Sequence, residues 1–304
     1  HLFVHSLIVD PKLAFDDDDM AQGYDDFMVT VDEFEKTLEQ LEARDYVLVD
    51  PHSIAEVGSD GKMKYKKLEL PKGKKPFVLS IDDVNYYEYM TGDGFADRLV
   101  LEDGQVRTEY TDSSGKTETG AHDVVPILDD FVDKNPGFSH DGAKGVLALT
   151  GYEGALGYDT SRRAGASGAK LKKEQAKATK VADALKESGW TFASHTWGHI
   201  TMTDASLAKV KKDQESWAAE VEPITGPTDL LIYPFGADIA ATEPYSGPVY
   251  DYLSDEGYDY YFNVDGSGPW QQLGDGYLRQ GRINLDGILL RQHLAGKADS
   301  LEPF

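Results

Sequence analysis

Short apolar runs alternate along the chain with longer charged segments whose apolar residues recur every three or four positions. Runs rich in β-branched and aromatic residues predict strands, and segments of helical period predict the helices that connect them. The predicted strands are residues 2–5, 46–50, 77–81, 145–150, 190–194, 230–233 and 260–264. Such alternation is typical of βαβ units, so the sequence predicts an α/β fold.

Several of the predicted helices have recognisable ends. Thr30 followed by Glu33 forms a capping box, which begins a helix that runs to about residue 44. The other predicted helices are 171–188, followed by Gly189, 206–220, preceded by Asp204, and 248–256, followed by Gly257.

Residues 93–120 interrupt the alternation of strands and helices. Asp103 and Gly104 separate two strand-like runs there, and this dipeptide is typical of a tight hairpin turn. We therefore expect an inserted β-hairpin within a single domain that spans residues 1–304. The seven strands either close into a barrel or form an open, doubly wound sheet, and both arrangements place active sites at the carboxyl ends of strands.

The charge balance excludes several classes of partner. The chain has 54 acidic and 30 basic residues, a net charge of -24, so nucleic acid and anionic membrane surfaces are repelled at long range. No apolar run approaches the length of a membrane span, so we expect no integral membrane segment. The sequence has no cysteine, and any metal must therefore be held by His, Asp or Glu.

Two histidines follow the strand predicted over residues 190–194. His195 and His199 are four positions apart, a spacing that brings two imidazoles to one ion on a turn but that also arises by chance. Asp82 and Asp83 follow the strand at 77–81. Either one carboxylate binds a metal and the other contacts the water on that metal, or both lie in a helix cap or a solvated turn.

Two further motifs follow predicted strands. The YPFG turn, residues 233–236, either leaves backbone N–H groups free to stabilise an oxyanion or is a simple strand exit. His5 is either a hydrogen-bonded core residue or a catalyst. Because the fold gathers strand ends on one face, we expect all four motifs to converge.

These motifs resemble those of the polysaccharide deacetylases of carbohydrate esterase family four, the NodB-like deacetylases. SIDDV (80–84) is similar to the family's Thr-Phe-Asp-Asp-Gly motif, HTWGH (195–199) matches its His-Ser/Thr-x-x-His motif, and YPFG contains the end of its Arg-x-Pro-Tyr/Phe motif. The resemblance runs from residue 77 to about residue 265. It implies a distorted barrel of about seven β/α units.

The resemblance also implies the roles of individual residues. Asp83, His195 and His199 would bind a divalent metal, usually Zn²⁺, with Co²⁺ or Ni²⁺ as alternatives. Asp82 would be the general base, and the backbone N–H of Phe235 would help to hold the oxyanion.

The family's general-acid histidine, in a late Leu-x-x-His motif, has two counterparts in this chain. One is Leu290 to His293, at the start of a predicted C-terminal helix, and the other is Leu2 to His5. Poly-N-acetylglucosamine deacetylases resemble the second arrangement, with the late strand moved to the N-terminus by circular permutation. We expect His5 to be the acid.

Some family positions differ in this chain. Ile232 stands where the family has the arginine that orients the base, and Val84 replaces a glycine. The late Asp-Trp motif is matched only by Asp265 and Trp270. The group that orients the base is therefore either missing or supplied from elsewhere.

The function implied by the resemblance is removal of N-acetyl groups from an N-acetylglucosamine-containing polysaccharide, by a protein that is secreted or associated with the cell envelope. The chain opens as if within a strand, so we expect a leader or anchor outside it. An O-acetyl esterase and a non-catalytic carbohydrate-binding protein are the alternatives, and the sequence indicates no oligomeric state. Aromatic residues are expected to stack on sugar rings: Tyr86, Tyr87, Tyr152 and Trp197.

Overall fold

The computed structural model describes residues 1–16, 18–162, 165, 167–264 and 270–297. Its strands are β1 Leu2–Val4, β2 Tyr46–Leu48, β3 Ala55–Val57, β4 Met63–Tyr65, β5 Lys75–Phe77, β6 Leu79–Ile81, β7 Arg98–Glu102, β8 Gln105–Thr111, β9 Thr117–Gly120, β10 Val146–Leu149, β11 Thr191–Ser194, β12 Leu230–Ile232, β13 Tyr260–Asn263, β14 Gln271–Leu273, β15 Leu278–Gly281 and β16 Ile283–Asn284. Its helices are α1 Pro11–Ala14, α2 Ala21–Phe27, α3 Val31–Ala43, α4 Val124–Lys134, α5 Gly168–Glu187, α6 Leu207–Glu220, α7 Glu222–Thr225, α8 Pro248–Asp255 and α9 Gly287–Leu294.

The main sheet runs in the order β14-β15-β13-β12-β11-β10-β6-β1-β16, and every pairing except that of β14 with β15 is parallel. β15 pairs with β13 near one end of this order, and after Arg282 the same segment continues as β16, which pairs with β1 at the other end. The sheet therefore curls until its two ends share one stretch of chain. The predicted distorted barrel is confirmed.

The prediction that residues 46–50 form a barrel strand is wrong, because this strand lies outside the main sheet. The run at 46–50 forms β2, which pairs with β5 in a separate two-stranded sheet and makes an isolated bridge from Leu48 to Ser139. The seventh barrel strand is instead residues 278–284, which carry the polar residues Arg279, Gln280 and Arg282. These side chains are buried because they have partners: Arg279, for example, donates from Nε to Asp238 Oδ2 at 2.7 Å. A strand that buries charged groups has no apolar run to reveal it.

Alternating side chains of the barrel strands fill the interior and the outer layer. In β10, Val146 and Ala148 pack in one cluster with Ile232 and Phe262 of neighbouring strands. Leu147 and Leu149 pack in another cluster with residues of the surrounding helices, such as Leu38 of α3 and Leu185 of α5. The barrel is therefore a filled core, and its functional surface lies at the strand ends.

The expected inserted hairpin has a third strand. β7 and β8 pair antiparallel around Asp103 and Gly104, whose φ angles of 51° and 83° are those of the predicted tight turn. β9 then pairs with the other edge of β8. Its sequence, TETG, is too polar and short to be recognised as a strand.

The predicted helix ends agree closely with the structure. Thr30 and Glu33 form the capping box in both directions, with N···O distances of 3.2 and 2.8 Å. α5, α6 and α8 lie within three residues of their predicted bounds, although the cap of α6 is Ser206 rather than Asp204. Within the described ranges, no helix is both long and apolar enough to span a bilayer.

Candidate metal and catalytic site

A cavity of about 600 Å³ lies at the carboxyl ends of β1, β6, β11 and β12. All six residues singled out for chemistry line it: His5, Asp82, Asp83, His195, His199 and Phe235. Each follows a strand that the sheet places beside the others, although up to 230 positions separate them along the chain. The structure thus brings the four motifs together, while the role of each residue stays a prediction.

Asp83, His195 and His199 form a cluster suited to a divalent cation. One ligand atom from each residue lies within 4.8 Å of the others, and His199 Nε2 is 3.7 Å from Asp83 Oδ2. A carboxylate oxygen with two imidazole nitrogens is a donor set that Zn²⁺ accepts, and three protein ligands leave a position open for substrate. The residues therefore fit a catalytic metal.

The surroundings of His195 and His199 favour metal binding by their imidazoles. His195 Nδ1 lies 2.8 Å from the carbonyl oxygen of Ile232, and since a carbonyl only accepts, Nδ1 donates and Nε2 is the nitrogen left for a metal. Burial lowers the pKa of His199, against an opposing effect of Asp83, which favours the neutral ring that a metal requires. Ile232, which stands at the position of the arginine in the family motif, therefore orients the His195 ring through its backbone carbonyl.

The loop between the two histidines is fixed by Asp213 of α6. The Asp213 carboxylate accepts hydrogen bonds from the backbone N–H groups of Trp197, at 2.7 Å, and Gly198, at 2.8 Å. Thr196 and His199 have φ angles of 57° and 49°, which are unfavourable for residues with a side chain. Sequence reasoning missed Asp213 because it resembles an ordinary solvated residue of a charged helix.

Asp82 forms a bidentate ion pair with Arg282. The two N···O distances are 2.7 and 2.8 Å, and both side chains are buried. Burial by itself raises the pKa of Asp82, but the charge of Arg282, with a smaller effect from His195, lowers it to about 2. Asp82 is therefore ionised at neutral pH, as a general base must be.

Arg282 makes the contact with Asp82 that the resemblance led us to expect from an arginine at position 232. It lies between β15 and β16, in the segment that joins the two ends of the sheet, and it also donates to Ser80 Oγ at 3.0 Å. No motif surrounds it in the sequence, since RQGRIN resembles a polar loop. Only the pairing of β16 with β1 brings it to Asp82.

His5, and not His293, lines the cavity. His5 Nδ1 is 3.2 Å from the carbonyl oxygen of Phe27, so Nδ1 donates and Nε2 is left for the site. His293 lies in the last turn of α9, so the expectation that its motif begins this helix is wrong in detail.

Phe235 lies at a sharp turn after β12. Its φ is 59°, its ring is 70% exposed, and the ring stands edge-on to His199 with centroids 4.5 Å apart. At Gly236, which has φ of 65°, a β-carbon would come within 2.5 Å of Val264, so only glycine fits. The turn thus holds the Phe235 backbone at the cavity wall.

Two of the aromatic residues expected to stack on sugars, Tyr86 and Trp197, are half-buried and hydrogen-bonded to carboxylates. Tyr86 donates to Asp123 at 2.8 Å, Trp197 donates to Glu220 at 3.0 Å, and neither side chain lines the cavity. Their O–H and N–H groups need partners when buried, which explains these positions.

The remaining two expected aromatic residues form a stack. Tyr87 lies between Tyr152 and Tyr89, with ring centroids 5.4 and 5.6 Å away. Of these three, only Tyr89 lines the cavity, and it is 49% exposed. Nothing in the sequence distinguishes Tyr89 from Tyr86 and Tyr87, the other members of the aromatic cluster that follows Asp83.

Only Trp270 of the late Asp-Trp motif lies within the described residues. Asp265 lies outside the described residues. Trp270 faces Arg279, whose guanidinium carbon is 4.9 Å from its ring centroid, and it does not line the cavity.

Comparisons with known proteins agree with this geometry. Residues 162–261, which include both histidines of the cluster, match the family model described as polysaccharide deacetylase. No curated protein sequence matches the chain.

The solved structures that are similar to this one include two deacetylase-related proteins. The Streptococcus pyogenes deacetylase PplD, in complex with acetate, has a TM-score of 0.50 and 14% identity, with 97% of this chain and 96% of that chain covered. A Mycobacterium smegmatis protein described as a candidate polysaccharide deacetylase has a TM-score of 0.32 and 14% identity over 52% of this chain and 44% of that chain. The α/β fold shared with PplD and the family match over residues 162–261 agree with the resemblance drawn from the motifs.

Proposed function

We propose that this protein is a metal-dependent hydrolase that removes N-acetyl groups from an N-acetylglucosamine-containing polysaccharide of the cell wall or of an exopolysaccharide. The observation that carries the proposal is the cluster of Asp83, His195 and His199 within 4.8 Å, beside the buried and ionised Asp82. A secreted or cell-envelope location is part of the same proposal, since such polymers lie outside the cytoplasm.

Each side chain has a defined part in this reaction. A divalent cation, Zn²⁺ in the first place and Co²⁺ or Ni²⁺ as alternatives, supplies Lewis-acid polarisation of the acetyl carbonyl when it is bound. Asp82 accepts a proton from the attacking water, and the backbone N–H of Phe235 donates to the oxyanion. His5 protonates the leaving nitrogen as the C–N bond breaks, so the products are acetate and a free amino sugar.

Arg282 weakens the case for a non-catalytic binding protein. That alternative rested on the missing arginine at Ile232, without which the base would lie unoriented. The guanidinium of Arg282 meets both oxygens of Asp82, so the site has the group that the motif lacks.

The test is acetate release from N-acetylglucosamine oligomers and, in parallel, from acetylated xylan. Protein stripped with a chelator should release acetate from the oligomers only after Zn²⁺ is restored. His195→Ala should lose both the bound ion and turnover. Release from xylan alone would favour the O-acetyl esterase, and stoichiometric metal without release from either substrate would favour the non-catalytic protein.

A further inference from the structure

We propose that Tyr87 and Thr150 are positioning residues that restrict Asp83 to binding the metal through one oxygen. The inference rests on the metal site of the proposed function. It concerns two buried hydroxyl groups that belong to neither the ligands nor the catalytic residues: Tyr87 is 4% exposed and Thr150 is 0% exposed.

Thr150, Tyr87 and Asp83 are linked by two hydrogen bonds that run in one direction. Tyr87 Oη is 2.6 Å from Asp83 Oδ1 and 2.7 Å from Thr150 Oγ1. Tyr87 donates its single hydroxyl proton to Asp83 Oδ1. Tyr87 must then accept from Thr150, and the two bonds polarise one another in the same sense.

These hydrogen bonds give the two Asp83 oxygens different contacts. Oδ1 is occupied by Tyr87, while Oδ2 is the oxygen that lies 3.7 Å from His199 Nε2. The carboxylate therefore presents Oδ2 to the metal cluster and cannot turn without losing the Tyr87 bond. Without that bond, Asp83 is free to rotate or to offer both oxygens.

The backbone at Asp83 needs such support. Its φ is 60°, a conformation that residues with a side chain rarely adopt. This turn directs Asp82 to Arg282 while its neighbour Asp83 points to Tyr87. Strained residues of this kind persist where the surrounding contacts hold them, and the Tyr87 bond is one of those contacts.

Both hydroxyl groups are themselves immobilised. Thr150 is tied to Asn85, whose side-chain oxygen accepts its N–H at 3.0 Å and whose amide donates to its carbonyl at 2.9 Å. The ring of Tyr87 lies nearly parallel to Tyr89 and Tyr152, at 18° and 17°. The chain of donors is therefore rigid enough to orient a ligand.

The experiment compares Tyr87→Phe with Tyr86→Phe as a matched control. Both remove one buried phenol that donates to a carboxylate, but the partner of Tyr86 is Asp123, which is not a metal ligand. Zn²⁺ affinity is measured on metal-free full-length protein by competition with a chromophoric chelator. The Co²⁺ absorption spectrum reports the coordination geometry.

Tyr87→Phe should weaken Zn²⁺ binding by about 10–100-fold, the usual effect of losing an outer-shell partner, and should alter the Co²⁺ spectrum. Tyr86→Phe should lower the melting temperature and leave both metal readouts unchanged. Thr150→Val should weaken binding by a smaller factor than Tyr87→Phe, and Thr150→Ser, which keeps the hydroxyl, should bind as the parent protein does. This second pair decides the question if Tyr87→Phe fails to fold.

The proposal is overturned if Tyr87→Phe and Thr150→Val bind Zn²⁺ as tightly as the parent protein, if Tyr86→Phe weakens binding equally, or if the parent protein binds no Zn²⁺ at this cluster. The Zn²⁺ readouts need no substrate, so they distinguish a failure of the Tyr87 role from an absence of deacetylase activity. If Tyr87→Phe binds Zn²⁺ more weakly but the parent protein releases no acetate, the role of Tyr87 is supported and the proposed function is contradicted. If the parent protein releases acetate but Tyr87→Phe binds Zn²⁺ with unchanged affinity, the proposed function is supported and the role of Tyr87 is contradicted.

Discussion

At the scale of single residues, the ionisation of Asp82 depends on Arg282. A carboxylate as buried as Asp82 normally has a raised pKa, and the adjacent guanidinium reverses that effect. Planar, bidentate contact also fixes the orientation of both oxygens, which an ammonium group does not reproduce.

Arg282→Gln should therefore raise the pKa of Asp82 and shift the acidic limb of the pH profile of kcat/KM upward by about one unit or more. Below that limb the base is protonated, so activity is lost first at acid pH and recovers as pH rises. Arg282→Lys, which keeps the charge, should show a smaller shift. An unchanged acidic limb in Arg282→Gln would argue against Asp82 as the titrating base.

The choice between two histidines is also a question of single residues. His5→Ala should lower the rate of acetate release by about 10²–10⁴-fold, the usual contribution of a general acid, without loss of bound Zn²⁺. His293→Ala is the matched control and should retain full activity, because His293 does not line the cavity. Equal effects of the two substitutions would contradict the assignment of His5.

At the scale of elements, α6 holds the loop that carries His195 and His199, the two imidazoles proposed as metal ligands. The loop has two residues with positive φ, so its shape depends on the carboxylate of Asp213, which accepts two of its backbone N–H groups. A helix outside the barrel thereby sets the geometry of the metal cluster inside the cavity.

Asp213→Ala should leave two N–H groups without their acceptor, lower the free energy of unfolding by about 1–3 kcal/mol, and weaken Zn²⁺ binding. Glu215→Ala, an exposed change on the same helix, is the control and should alter neither quantity. Chemical denaturation and chelator competition on the two variants provide the measurement. Zn²⁺ affinity equal to that of the parent in Asp213→Ala would show that the loop keeps its shape unaided.

Elements whose signals are local agree best with their predictions. The capping box of α3 and the Asp103–Gly104 turn depend on residues within four positions of each other, and both are present in the structure. β2 was assigned to the wrong sheet, because an apolar run indicates a strand without indicating its partner.

At the scale of the whole molecule, His52 joins distant segments at the end of the barrel opposite the cavity. Its ring lies between Asp50 and Asp229, with N···O distances of 2.7 and 2.9 Å, and Asp50 in turn accepts from Thr191 at the start of β11. Burial lowers the pKa of His52, but hydrogen bonds to Asp229 and Asp50 outweigh it and raise the pKa to about 10.

This raised pKa predicts a pH-dependent contribution to stability. Because the folded-state pKa exceeds the unfolded value of about 6.5, the contribution is complete below pH 6.5 and is lost as pH rises towards 10. His52→Gln should cost about 1–2 kcal/mol at pH 6, since the ring is partly exposed, and the cost should shrink towards pH 10. Urea unfolding of both proteins at pH 6, 8 and 10 measures this, and a cost that stays constant would contradict it.

The sequence by itself determined the α/β class, the ends of several helices and the position of both aspartates and both cluster histidines directly after strands. These depend on side chains that interact within a few positions of the chain. Only the tertiary structure decided which strand completes the barrel and which arginine meets Asp82, a partner 200 positions away. The physical reason is that a buried charge is stable only beside its partner, and the partner of Arg282 is chosen by strand pairing, which no local pattern encodes.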